Sequence, residues 1–215
     1  FKALLEGYDW LHLSGITPAL SNSCQILIEA AIYAARQLGM TISFDCNYRS
    51  MLWSFDEARD IISRYLPYVD VLIGIEPLQD ENGHDLKDGM SMQPDYEEQD
   101  RIFQAMADRY HFKAIARHVR YTHSSSENSL KAYLYYNGQT YESKLFRFQI
   151  LDRVGGGDAF SSGLIYALMN NYKPRDVVNF AVASSVMKHS IHGDTNITDV
   201  ESIQRLMNQS FDVQR

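Results

Sequence analysis

Strand-like and helix-like segments alternate along the first half of this chain, and that rhythm restricts the fold more than any other feature of the sequence. Asp9–Gly15 reads as a short strand, closed by Gly15 and a Thr17-Pro18 turn. A helix is expected from Ser21 to Leu38, with Leu27, Ala31, Ala34 and Leu38 along one face and Gly39 at the C-cap position. Met40–Asp45 is the next strand. Ser54 and Glu57 have capping-box spacing for a helix that runs toward Tyr65 and is stopped by Pro67. Val69–Ile73, rich in β-branched residues, reads as a buried strand. Asp80–Pro94 is polar and reads as a surface excursion. Asp95 and Glu98 repeat the capping spacing, Phe103, Ala107 and Tyr110 share a helical face, and Phe112–Val119 is again strand-like. This is the spacing of crossover units on a parallel sheet, and it selects the α/β class.

The rhythm then changes. Lys131–Tyr136 and Thr140–Ile150 flank Asn137-Gly138, a strong hairpin signal, and read as an antiparallel pair at the sheet edge. From Asp158 onward the chain reads as helical. Phe160, Leu164 and Leu168 share a face, Val177–Met187 is almost wholly apolar or small, and Thr198 and Glu201 open a last helix containing Ile203, Leu206 and Met207. No run approaches a membrane span. The charge of -7, from 20 basic and 27 acidic residues, argues against a nucleic-acid partner bound through a broad basic face. Cys24 and Cys46 have neither disulfide-framework nor metal-ligand spacing, which points to core thiols in a reducing, cytoplasmic compartment. His12, His111, His118 and His192 likewise show no metal-ligand spacing.

Functional information concentrates in Leu151-Asp152-Arg153-Val154-Gly155-Gly156-Gly157-Asp158-Ala159-Phe160. Gly155, Gly156 and Gly157 leave a strand and enter a helix. Glycine permits left-handed backbone angles and lets a ligand lie against the main chain. The first helical turn then offers free amides and a positive dipole end, an arrangement suited to a phosphoryl group. Asp158 sits beside that pocket, where a base would take a proton from an attacking hydroxyl. Read from these residues alone, the alternative is that Asp158 is only a helix cap and the glycines only a tight turn. The segment is neither a Walker A loop nor GxGxxG, and a nicotinamide-binding reading fits poorly.

The string Asp152–Phe160 closely resembles the C-terminal signature of the ribokinase-like (PfkB) carbohydrate kinases. Asp9–Leu20, Asp45-Cys46-Asn47-Tyr48-Arg49 with Leu52-Trp53, Ala181–Ser185 with Lys188-His189, and Val213-Gln214-Arg215 are similar to its 2-keto-3-deoxygluconate kinase branch, so the likeness covers nearly the whole chain. The resemblance implies a three-layer α/β fold with a mostly parallel central sheet. It implies that Asp158 is the catalytic base, acting on a bound substrate hydroxyl, with Gly155, Gly156 and Gly157 as the anion hole. Arg49, helped by Asn47, would contact a sugar-acid substrate. Gly155, Gly157, Ser184, Lys188, Gly193 and Asn196 would lie on the ATP side, with Mg2+ as the accompanying ion and its ligands unassigned. For Ser184 a packing role is an equal alternative, and for Arg49 an ion pair with Asp45 remains open.

Two departures from the family pattern stand out. The family's Asn-x-x-Glu element, which helps to organise magnesium, reads Ile75-Glu76-Pro77-Leu78 here. The family domain is also longer, so residues 1–215 are expected to be its C-terminal portion, lacking the opening strands and the β lid through which a full-length homo-oligomer would form. The implied activity is transfer of the ATP γ-phosphoryl group to 2-keto-3-deoxygluconate, with the activity of the chain by itself left open. The alternatives are a same-fold kinase for fructose, ribose, a nucleoside or tagatose-6-phosphate, or a non-catalytic nucleotide-binding remnant.

Overall fold

In the computed structural model, residues 1–86 and 96–208 are described. The elements run α1 (Lys2–Leu5), β1 (Trp10–Ser14), α2 (Ile16–Leu20), α3 (Asn22–Gln37), β2 (Thr41–Asp45), α4 (Phe55–Tyr65), a 3-10 turn (Leu66–Tyr68), β3 (Val71–Ile73), α5 (Tyr96–Tyr110), β4 (Ala114–Thr122), β5 (Glu127–Tyr136), β6 (Gln139–Glu142), β7 (Phe146–Gln149), α6 (Gly156–Met169), α7 (Pro174–Lys188) and α8 (Val200–Asn208). The sheet is mixed and mostly parallel, in the order β1-β2-β3-β4-β5-β6, with β7 paired to β5. β1 to β4 are parallel neighbours, and β5 and β7 are antiparallel. The α/β class and the parallel sheet are as the alternating sequence predicts. Among the described residues no helix is long and apolar enough to cross a membrane.

The chain forms two compact units. One comprises Phe1–Arg117 with Tyr135–Thr140, the other His118–Leu134 with the chain from Tyr141 onward.

In the first unit Ile42, Phe44, Ile62, Leu66, Leu72 and Phe103 are fully buried. Ser54 and Glu57 form the expected capping box on α4. Ser21 caps α3, and Gly39, at φ 71°, follows its last turn as expected. Buried Asp70 accepts the Ile42 amide at 2.9 Å and pairs with Arg36 at 3.1 Å and Lys113 at 3.0 Å, so its charge is satisfied where it enters the core. Gly15 is set by close approach: a Cβ there would lie 2.1 Å from the Cys46 carbonyl oxygen, while the Gly15 amide bonds the Asp45 carbonyl at 2.8 Å.

In the second unit α6 packs on α7 at a small-residue crossing. A Cβ on Gly163 would sit 2.8 Å from that of Ser184. The α7 helix is buried along almost its whole length, as its composition predicts.

Four local expectations need correction. The buried stripe of α3 is Ile28, Ala31, Ile32, Ala34 and Ala35, whereas Leu27 is exposed. The Ile26-Leu27-Ile28 run is apolar at every position, and a stripe at steps of three and four from Ile28 fits the helix as well as one from Leu27. Thr17-Pro18 lies inside α2, where proline is tolerated in a first turn. The segment 140–150 is two strands. Ser143 breaks it: its hydroxyl accepts the Ala132 amide at 2.9 Å and donates to the Lys144 carbonyl at 2.7 Å, while the Lys144 amide turns to Asn179 Oδ1 at 2.9 Å. The last helix is capped by Asp199, which accepts the Ser202 amide at 2.7 Å, one residue after the predicted Thr198. The Asn137-Gly138 hairpin is as expected, with φ of 51° and 81°. The capping role of Asp95, most of the Asp80–Pro94 excursion and Val213–Arg215 lie outside the described residues.

The Gly15 contact generates a test. Gly15→Ala must push the Cys46 backbone aside, and the expected cost is about 1–3 kcal/mol. Chemical denaturation measures it, and an unchanged midpoint would contradict the close approach.

Candidate functional site

The start of α6 is built by four neighbouring segments of the second unit. Gly155 stands at the N-cap with φ 77°, a left-handed conformation that glycine adopts without strain. A side chain there would also collide with the Asp194 carbonyl, 2.3 Å from the Cβ position. Gly156 is confined as well: its Cβ would lie 2.5 Å from His189 Cε1. At Gly157 a Cβ would meet nothing within 4 Å, so this glycine faces open space. The first intrahelical bond runs from the Ala159 amide to the Gly155 carbonyl at 2.9 Å, and no side chain caps the turn. The amides of Gly156, Gly157 and Asp158 are therefore left for an outside acceptor.

The surrounding loop is held in three ways. The fully buried Lys188 donates from Nζ to the carbonyls of Ile191 at 3.0 Å and Gly193 at 2.6 Å. Asp152 accepts the Val154 amide at 3.0 Å and the Gly193 amide at 2.8 Å. These backbone donors, aided by the Lys188 charge, hold the Asp152 carboxyl below the usual carboxylate range. Ser185 donates to the Gly156 carbonyl at 2.8 Å.

His189 closes the back of the site. Its Nδ1 lies 2.7 Å from the Ser185 carbonyl, which can only accept, so Nδ1 carries the proton. Its Nε2, 3.4 Å from Arg120 Nη2, is then the acceptor. Burial, outweighing the Ser185 bond, and the charges of Arg120, Lys188 and Arg153 push the imidazole pKa down.

The residues expected at the site fall in two groups. Gly155, Gly156, Gly157, Asp158, Lys188 and Gly193 come together around the start of α6. Ser184 is buried at the α6–α7 crossing, with its hydroxyl 3.4 Å from Asn196 Nδ2, so both adjoin the site through packing and the following loop. Asp158 is exposed in the first turn of α6, and among the described residues no capping bond is found there. Asn47 and Arg49 belong to the first unit, in the loop that leaves the C-terminal end of parallel strand β2. Asn47, at φ 39°, donates its amide to Asp45 Oδ1 at 3.0 Å and its side chain to Ser14 Oγ at 3.3 Å. Arg49 is exposed and donates to the Tyr48 carbonyl at 3.1 Å; among the described residues no carboxylate pairs with it. Sequence reasoning missed Arg120 and Ser185 as parts of the site. Neither lies in the glycine motif, and only the tertiary fold brings them to it.

The geometry suits a polyphosphate. A helix N-terminus by itself contributes about 0.3–1 kcal/mol toward an anion, whereas a hydrogen bond to a charged group contributes about 1.5–3 kcal/mol. The three free amides therefore dominate, and the open face at Gly157 leaves room to reach them. Among the described residues no three His, Cys, Asp or Glu side chains gather as metal ligands. A magnesium ion would fit here as one carried on phosphate oxygens, its usual mode with nucleotides. Ile75 and Leu78, at the positions that the sequence resemblance assigns to organising magnesium, are both buried apolar side chains.

Comparison with known proteins identifies the family. Residues 1–200 match the family described as pfkB family carbohydrate kinase. A 2-dehydro-3-deoxygalactonokinase of Haloferax volcanii is 26% identical over 204 residues, 95% of this chain and 58% of that protein. The crystal structure of a 2-dehydro-3-deoxygluconokinase from Thermotoga maritima matches with a TM-score of 0.87 at 31% identity, over 97% of this chain and 62% of that one. A fructokinase from Xylella fastidiosa, solved with bound ATP, shares the fold at 18% identity, with a TM-score of 0.66 over 96% of this chain and 63% of that one. The chain thus spans between 58% and 63% of the length of these three proteins.

The buried imidazole generates a prediction. A folded-state pKa below the ordinary value makes the neutral form the stabilised one, so its contribution is present above about pH 6.5 and is lost as pH falls through the folded value. A proton NMR titration of His189 Cε1–H should show a midpoint clearly below about 6.5. A midpoint at or above that value would contradict the lowering by burial and the neighbouring cations.

Proposed function

Because the chain belongs to the pfkB family of carbohydrate kinases, we propose that it serves an ATP-dependent sugar-acid kinase activity that phosphorylates the terminal hydroxyl of a 2-keto-3-deoxy sugar acid, 2-keto-3-deoxygluconate in the first place. The observation that carries this reading is the exposed Asp158 carboxylate beside three amides at the start of α6, all without a hydrogen-bond partner among the described residues. Base and anion hole thus lie within one helical turn. The relatives named for 2-dehydro-3-deoxy sugar acids support the substrate class.

Asp158 takes the proton of the attacking hydroxyl as the oxygen approaches phosphorus. The amides of Gly156, Gly157 and Asp158 receive the charge on the phosphoryl oxygens, prealigned because Gly155 and the Lys188-held loop fix the turn. Magnesium, when bound with ATP, offsets repulsion among the phosphates. Arg49 grips the substrate carboxylate with its planar fork, which a ketose or a nucleoside would leave unused.

A second reading, nucleotide binding without turnover, draws on the burial of Ile75 and Leu78 where the family pattern has polar residues.

A coupled ADP-release assay of the full-length protein with 2-keto-3-deoxygluconate, 2-keto-3-deoxygalactonate and fructose separates these readings. Turnover with the keto-deoxy acids is expected. Asp158→Asn should lower kcat by about 10²–10⁴-fold with ATP binding and thermal midpoint retained. Normal turnover by a folded D158N protein would remove the base assignment. ATP binding without turnover on any sugar would favour the second reading.

A further inference from the structure

The cationic side of the anion site contains a guanidinium whose placement ion pairing does not explain. Arg120, in the second half of β4, is half-buried, and burial together with the nearby Arg153 charge weakens its hold on its proton. A guanidinium in such surroundings ordinarily takes a carboxylate. Among the described residues none pairs with it, and its Nε is buried with no hydrogen-bond partner. Its one side-chain bond goes from Nη2 to His189 Nε2, a neutral acceptor that orients the group without neutralising it.

That orientation is determined on the far side of the ring as well. The His189 Nδ1 proton is committed to the Ser185 carbonyl, and Ser185 donates in turn to the Gly156 carbonyl. The ring edge lies where a side chain on Gly156 would be. One imidazole therefore separates the Arg120 guanidinium from the first turn of α6. Arg153 is exposed and gives one N–H to the Ser125 carbonyl at 3.0 Å, while the Lys188 ammonium turns to the carbonyls of Ile191 and Gly193. Of the two guanidiniums near His189, Arg120 is the half-buried one, and its Nε has no partner among the described residues. Collecting three positive side chains in a chain of net charge -7, with Asp152 committed to backbone amides, is costly unless an anion completes the site.

We propose that Arg120, aimed by the neutral imidazole of His189, is a nucleotide-binding residue that donates to the polyphosphate oxygens of ATP beside the amides of Gly156 and Gly157. The proposal rests on the phosphoryl-transfer reading of this site. Nitrogen donors on a planar fork match phosphate oxygens in pairs, while the amides on the other side fix the direction of approach. His189 is a positioning residue in this scheme. Glycine at position 156 is what lets its ring come close enough.

Isothermal titration of the full-length protein with ATP and, separately, with adenosine tests this on wild type, Arg120→Gln and Arg120→Lys. Arg120→Gln should weaken ATP about 10–100-fold and leave adenosine within about twofold, because only the phosphates meet the guanidinium. Arg120→Lys should fall between, keeping the charge but losing the fork. Without ligand, the thermal midpoint of R120Q should equal or exceed that of wild type, since a half-buried charge with no carboxylate partner has been removed. Wild type binding ATP while a folded R120Q binds it equally well would overturn the proposal alone. Equal losses for ATP and adenosine would mark a structural residue and also overturn it, as would failure of both variants to fold. Wild type failing to bind ATP at all would remove the underlying reading, and the proposal with it.

Discussion

A buried ammonium holds the glycine turn in place. Lys188 is fully buried, and taking such a charge out of water costs several kcal/mol, on the order of what several hydrogen bonds return. The structure offsets that cost with the carbonyls of Ile191 and Gly193. Those bonds fix the Ile191–Asp194 loop, and the Asp194 carbonyl forms the wall against which Gly155 rests. Asp152 clamps the same loop from the other side through the Gly193 amide. The turn is therefore preformed, and its free amides point outward without an ordering cost when an anion arrives. A direct phosphate contact by Lys188 is not needed to explain why a lysine stands there.

The same economy extends behind the site. His189 carries its proton on the side of the Ser185 carbonyl and presents a lone pair to Arg120. A neutral ring can sit between a guanidinium and a helix N-terminus where an imidazolium would be repelled by both. Protonating it would place a third positive charge against Arg120 and the positive end of the α6 dipole.

How much of this was legible in the sequence depended on range. The Ser54–Glu57 capping box, the Asn137-Gly138 hairpin and the glycine turn are determined by residues next to one another, and each is found as the sequence predicts. The stripe of α3 was misplaced by one residue because Ile26, Leu27 and Ile28 are all apolar, and tertiary packing alone chooses among them. The break at Ser143 depends on Ala132 and Asn179, 11 and 35 residues away from the bonds they make. Arg120 and His189 are 69 residues apart, and nothing local marks the arginine as part of the site. Asp158 could be named from the motif, but its freedom from capping bonds required the folded backbone.

The central claim is that the polyphosphate of ATP is received by the first turn of α6. A 1H–15N correlation titration of the labelled protein with ATP and magnesium addresses it directly. The largest amide shifts are expected at Gly156, Gly157 and Asp158, with the Arg120 Nε–H resonance moving in step. Shifts confined to other segments, with those three amides unmoved at saturating ATP, would contradict it.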